Sequence, residues 1–406
     1  MIRRRSRVAN ALATAGALAT AGALTTAGAV LAATSASAFV ERRRNQVRQR
    51  GPYRVSARAA DLHRTLTVVD LHADSLLWGR DLRRRVRRGH IDVPRLIEGG
   101  IAIEGMAVTT KVPRGINLER NDDRTDDVTL LAIAQRWPRE TWGSLLARAL
   151  HQAFRLRAMA AGPSARFSLI ESRADLDAFL ARRVRDPHIT ASFLALEGAQ
   201  ALDGDVAAID ILFEAGYRMV SPTHFFDTTF GGSAHGVVRG GLTDAGRELL
   251  SRMEAHGMLV DVAHASSATI DDILEIASRP VVASHTGVRT AVASVRNLPD
   301  DQIRGIAATG GVVGIGFWPV ACGGNDAPSI ARSIVAAINL VGADHVGLGS
   351  DFDGAVPTPF DATGMPLVTE ALLAEGLSDA DIAAVMGGNA VRVLRAGLPS
   401  GASVPA

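Results

Sequence analysis

Cysteine, lysine and aromatic residues are all scarce in this chain, and each scarcity excludes something. One cysteine, Cys322, rules out an intrachain disulfide and any zinc site built on thiolates. One lysine, Lys111, stands against 43 arginines, and it follows the second expected strand. A metal centre bridged by a carboxylated lysine is therefore not expected. Aromatics are only 4% of residues while 47% are hydrophobic, so Ala, Val, Leu and Ile must build the core. That composition suits parallel strands buried on both faces. Acidic residues are missing from the first forty positions. The first fifty hold nine arginines and one acid, so the rest carries 35 basic and 41 acidic residues, a net of −6. The high isoelectric point belongs to the N-terminal arm, and the body gives no reason to expect a nucleic-acid partner.

That arm reads as an address. Arg3, Arg4, Arg5 and Arg7 precede an uncharged Ala/Gly/Thr/Leu stretch from Val8 to Val40, which contains the small-residue site Ala36-Ser37-Ala38. Residues 1–38 are expected to be a signal peptide, with an uncleaved membrane anchor as the alternative, so the protein is expected to be exported. Residues 39–60 are expected to be a basic, solvated linker, with anionic lipid as a sharper alternative partner. Residues 61–397 are expected to form the one catalytic domain, and 398–406 a disordered tail.

From residue 65 onward, aliphatic runs alternate with helical segments. Strands are expected at 65–71, 101–108, 189–196, 217–223, 258–263, 280–284, 311–317 and 345–350. Helices are expected between them, the longest broken at Pro138, and a last one at 378–395. Eight strands in this alternation predict a (β/α)8 TIM-type barrel. Six of the eight end on a residue able to bind a metal or move a proton: His72 with Asp74, Glu197, His224, His264, His285, and Asp351 with Asp353. The seventh strand ends on Trp318. A parallel barrel gathers these ends on one face, where its active site lies.

His and carboxylate ligands without thiolate suit zinc or a similar divalent ion. His72 and Asp74, two apart on an extended chain, are expected to share one site. His264 and His285, on consecutive strands, are expected to form another, and Glu197 can bridge the two. Two ions close together would share and acidify a water. His224 is placed to donate to an oxyanion, Asp351 to act as acid/base, and Arg296 to clamp a carboxylate, while Asp353 is expected to order the glycine-rich turn.

The motifs Asp70-Leu71-His72-Ala73-Asp74, Leu196-Glu197-Gly198, Thr223-His224, Asp261-Val262-Ala263-His264-Ala265-Ser266 and Ser284-His285 occur in order. They continue through Ser294 to Asp300, Gly349 to Gly354 and Gly388 to Leu394. As a set they resemble the membrane (renal-type) dipeptidases, binuclear zinc enzymes of the amidohydrolase-like barrel class. The resemblance implies two Zn2+, one on His72 and Asp74, one on His264 and His285, with Glu197 bridging. It further implies substrate contacts by His224 and Arg296, proton transfer by Asp351, and cleavage of dipeptides, including those with a C-terminal D-residue. Two departures stand out: Trp318 where relatives have tyrosine, and Ala102-Ile103-Glu104-Gly105-Met106 where bacterial relatives have a Gln-aromatic pattern. They keep open another substrate, such as an N-acyl amino acid, a lactam or an ester. A non-catalytic metal-binding surface protein is the rival from a different class. Homodimerisation is also left open.

Overall fold

A computed structural model describes residues 37–162 and 166–401. Its strands are β1 (Val68–Ala73), β2 (Ile101–Thr109), β3 (Phe167–Leu169), β4 (Thr190–Glu197), β5 (Tyr217–Val220), β6 (Leu259–Asp261), β7 (Val281–Thr286), β8 (Val312–Ile315) and β9 (Val346–Leu348). All pairings among them are parallel. The order β2-β1-β9-β8-β7-β6-β5-β4 closes through β4 onto β2, giving the expected eight-stranded (β/α)8 barrel. Every residue of these eight strands is buried. Both faces are shielded from solvent, which is why the strands read as mainly aliphatic runs.

The ninth strand, β3, was not expected. It pairs with the first residues of β4, Thr190 to Ser192, on the edge that β5 takes up from Leu194 onward. Three residues are too few for a periodic signal. The expected 378–395 helix is also interrupted. It divides into Asp379–Ala383, a wide turn at Ala384–Gly388, and Asn389–Gly397. At that turn a Cβ on Gly387 would collide with the carbonyl of Thr67 at the foot of β1. The break near Pro138 is as expected, with helices Asp127–Ala134 and Leu145–Ala160 on either side.

Two segments expected outside the fold are packed on it. Residues 37–44 are helical, with Ser37, Glu41 and Asn45 buried at a spacing of four. Glu41 pairs with Arg80 and Arg88, and Asn45 accepts from the Ala355 N–H. Val47 bridges to Thr358, and a helix runs over Ala57–Thr65. These contacts tie the basic segment to the barrel, because its few non-arginine polar residues find partners there. At the other end Leu398 is buried and the Pro399 carbonyl accepts from the Arg173 N–H, so the tail starts later than Gly397. The expected signal or anchor falls almost wholly on residues outside the described ones. Among the described residues no helix is long and apolar enough to cross a membrane.

Asp353 holds the catalytic-face loops together. Its carboxylate pairs with Arg80 and accepts from Ser75 Oγ and the His90 N–H, and its carbonyl accepts from Trp78 Nε1. Burial opposes its charge, but Arg80 and His90 outweigh burial and hold the carboxyl down to about 2, against an ordinary 3.8. This stabilisation is present above the ordinary value and is lost as pH falls toward about 2. It amounts to about 2 kcal/mol. Asp353→Asn should cost about 3–5 kcal/mol near neutrality, since it leaves Arg80 buried with one partner fewer. In urea unfolding the gap between wild type and variant should be widest above about pH 4 and should narrow in stronger acid.

Candidate active site

The expected residues converge on the barrel mouth by several local devices. His72 lies within β1, and a register shift between Asp70 and Ala73 turns the strand end. Asp74 follows with φ −95° and ψ 28°, so it has already left the extended conformation. His72 Nε2 and Asp74 Oδ2 still meet at 3.4 Å. Glu197 is the last residue of β4, and Gly198, at φ +93°, turns the chain away directly after it. β5, β6, β8 and β9 end earlier than expected, so His224, His264, Trp318 and Asp351 sit on the first turns beyond them. Past His264, Ser266 caps the helix Ser267–Ile276 by accepting from the Thr269 N–H, which fixes the direction of that turn.

Glu197 is the centre of the cluster. Its Oε1 lies 3.5 Å from His72 Nε2, 3.1 Å from His264 Nε2 and 3.5 Å from His285 Nε2. Its Oε2 accepts from Thr109 Oγ1 at 2.7 Å and lies 3.3 Å from His224 Nε2. His264 and His285 bring their Nε2 atoms to 3.0 Å of each other. Three groups of three donors fall within 4.8 Å: His72, Asp74 and Glu197; Glu197, His224 and His264; and His72, Asp261 and His285. The first is the expected His-Asp site with its bridging carboxylate. His224 belongs to the same cluster geometrically, closer to Glu197 than a separate substrate donor would require.

The electrostatics suit a bound cation. Burial lowers His224, His264 and His285 well below the ordinary histidine value, so all three are neutral with a lone pair available. Burial alone would lower His72 too, but Asp74 and Glu197 outweigh it and raise His72 to about 10. Burial and then Asp74 push Glu197 up to about 8, and burial raises Asp351 well above the carboxylate range. His72 Nε2 is buried without a hydrogen-bond partner. Neutral imidazoles facing crowded, destabilised carboxylates are a donor set that a divalent cation would satisfy.

Asp351 enters at φ +60°, with Asp353 at +63° and Ala355 at +61°, three non-glycine residues in the left-handed region within five positions. Gly354 lies between them because a Cβ there would collide with Asp351 Oδ1. Arg296 is buried. Its Nη1 donates to the Ala263 carbonyl and its Nη2 to the His285 carbonyl, so the tips of β6 and β7 orient the guanidinium. Trp318 stacks its ring 5.4 Å from the Arg296 Cζ and 5.8 Å from the His285 ring. A cavity of about 560 Å³ opens beside Arg296, with Ala263, Ser266 and Arg289 in its wall.

Several residues of the site had no legible signal. Thr109, at the tip of β2, donates toward both Asp74 and Glu197. Ser284 Oγ donates to Asp261 Oδ2 at 2.6 Å and lies 2.9 Å from His285 Nδ1. That relay keeps a proton on Nδ1 and turns the Nε2 lone pair into the site. His235 is buried beside His264, with Nδ1 on the Leu118 carbonyl. It comes from an irregular loop after β5, where no strand tip announces it. The strand-2 departure also changes meaning. Residues 102–106 are the middle of β2, whose tip is Thr109, so Glu104 lies inside the barrel rather than at the pocket. There burial and then Asp70, its register partner, push Glu104 well above the carboxylate range.

The model of the membrane dipeptidase family, peptidase family M19, matches residues 56–398. The chain belongs to that family. Family M19 membership makes it a metallo-dipeptidase, a hydrolase on a TIM barrel. Among curated relatives, a dipeptidase designated tcpJ from Claviceps purpurea is 28% identical over 317 residues, covering 76% of this chain and 69% of its own. Among solved structures, a metallo peptidase described as dipeptidase AC superposes with a TM-score of 0.66 at 26% identity, covering 83% of this chain and all of its own. A metallo peptidase from Rhodobacter sphaeroides, crystallised with a phosphinate mimic of L-Ala-D-Ala, gives 0.65 at 25% identity over 82% of this chain and 99% of its own.

In this M19 chain, Thr109→Val and Ser284→Ala remove groups that touch the cluster without belonging to it. Each is expected to weaken divalent-metal binding roughly 10- to 100-fold. Metal titration followed by calorimetry reads this directly. Affinity within twofold of wild type for both variants would show that neither residue orients a ligand.

Proposed function

We propose that the chain hydrolyses dipeptides at a binuclear zinc centre, and that it tolerates a D-residue at the C-terminal position. One observation carries this reading: a single buried carboxylate oxygen of Glu197 within 3.5 Å of three imidazole nitrogens from three strands. His72, Asp74 and Glu197 would hold one ion, and His264, His285 and Glu197 the second. When bound, the pair supplies a water acidified toward neutrality and a Lewis acid for the scissile carbonyl.

The protein's own groups do the rest. Arg296, oriented by two backbone carbonyls, keeps further N–H groups for the substrate's terminal carboxylate, which places the scissile bond one residue away. That distance selects dipeptides over longer chains. His224, neutral and buried against Glu197, orients the carbonyl and donates to the oxygen as charge develops. Asp351, raised by burial, holds a proton and passes it to the leaving amine. The likeness to the Rhodobacter sphaeroides enzyme, crystallised with its L-Ala-D-Ala mimic, supports the D-residue. The arginine-led uncharged N-terminus supports export. Trp318, packed against Arg296, favours a second reading in which the same centre takes another amide, lactam or ester.

Release of alanine from L-Ala-D-Ala and L-Ala-L-Ala, with and without added zinc, tests the reading. Zinc-dependent hydrolysis abolished in Glu197→Gln is the expected result. Two bound metals without release from either dipeptide would move the assignment to the second reading. Arg296→Met should lower kcat/KM on dipeptides by about 100-fold, in line with loss of a charge-assisted pair, and much less on the C-terminal amides. Equal losses on acids and amides would remove Arg296 from carboxylate recognition.

A further inference from the structure

Away from the metal cluster, the helix at residues 37–44 is docked the wrong way round for a soluble surface. Its buried stripe is polar: Ser37 accepts from Gln135 Nε2, Glu41 pairs with Arg80 and Arg88, and Asn45 accepts from the Ala355 N–H. Its outward face carries Phe39 and Val40, 58% and 44% exposed, followed by exposed Arg42, Arg43 and Arg44. Beside it opens a cleft of about 890 Å³ whose walls hold six arginines against two carboxylates, Glu98 and Asp361. Arg85, Arg88 and Arg95 of that cleft are engaged in ion pairs. Arg42, Arg50 and Arg87 are exposed and form no ion pair among the described residues.

We propose that this face is a landing surface for a bilayer bearing anionic headgroups. Phe39 and Val40 enter the interface, and the unpaired arginines meet the lipid phosphates. Charge alone would serve any polyanion. The adjacent exposed apolar pair, and the uncharged sequence from Val8 that runs straight into the helix, select a membrane. The docking of Ser37 strengthens this, because cleavage after Ala38 would remove a residue that is part of the folded body. A retained N-terminal segment would deliver the arginine face to the bilayer surface.

The test uses the full-length protein, its Arg42→Gln/Arg50→Gln/Arg87→Gln variant, and vesicles of phosphatidylcholine with or without phosphatidylglycerol. The uncharged segment can partition into both bilayers, so the readout is the ratio of the two partition coefficients. At low ionic strength each arginine at the surface should contribute roughly fivefold to that ratio. The triple variant should therefore lose most of the preference for the anionic bilayer, and salt should erase it in wild type. Melting temperature and dipeptide hydrolysis should not change, since none of the three touches the metal cluster. Equal partitioning of wild type on the two bilayers, or an unchanged ratio in the variant, would overturn the proposal. So would inorganic polyphosphate binding more tightly than the vesicles, which would assign the face to a soluble polyanion.

Discussion

A buried carboxylate, Glu197 at the mouth of the barrel, is the constraint on which the site is organised. An isolated charge in such a place is strongly disfavoured, and burial accordingly pushes this one up to about 8. The barrel answers by bringing donors from other strands. β2 supplies Thr109, and the ends of β1, β5, β6 and β7 supply four imidazoles. The imidazoles are themselves kept neutral by burial, apart from His72, so they offer lone pairs rather than counter-charge. His72 and the buried Arg296 bring positive charge to the cluster, but the carboxylates of Asp74, Glu197 and Asp351 outnumber them, and a divalent cation would complete the balance. An ion held there would stabilise the carboxylates and supply an activated water.

Holding such a cluster requires stiff surroundings, and the structure places the stiffness one layer out. Asp261 is a good example: its oxygens take Ser284 Oγ and the N–H groups of Ser284 and Ala263. It thereby fixes β6 against β7 and, through Ser284, the ring of His285. Arg296 acts in the same region from the loop side by binding one carbonyl from each strand end. Both limit how far His264 and His285 can turn.

The alternation of aliphatic runs and helices made the barrel legible, because burial on both faces keeps the strands mainly aliphatic, with few internal polar residues such as Asp70 and Glu104. The candidate ligands were legible for the complementary reason: histidines and carboxylates cluster at the C-terminal ends of such runs. What could not be read came from contacts made by unremarkable residue types. Thr109 looks like any strand threonine, and Ser284 like any small residue beside a histidine. The docking of residues 37–44 was hidden because composition dominated the reading. Seven arginines between residues 39 and 60 suggested a solvated arm, while Ser37, Glu41 and Asn45, which bind the barrel, are a minority at helical spacing. The strand-2 departure lies inside both the expected strand, 101–108, and the observed one, so it bears on the barrel interior rather than on the pocket. β2 is nine residues long, so residues 102–106 lie well below its tip.

The loop after β9 shows how these parts depend on one another. Left-handed backbone at Asp351, Asp353 and Ala355 costs of order 1 kcal/mol or more at each position, and persists only where neighbours over-determine it. Here they do. The Asp353 carboxylate and carbonyl are tied to Ser75, Trp78, Arg80 and His90, and its N–H donates to His90 Nδ1. Ala355 is tied to Asn45. Arg80 in turn pairs with Glu41, so the N-terminal helix and the loop that carries Asp351 share one buried network. The arm is therefore a structural support of the catalytic face. The strained backbone at Asp351, the proposed acid/base, is anchored by this network from the far side of the loop, independently of any bound metal.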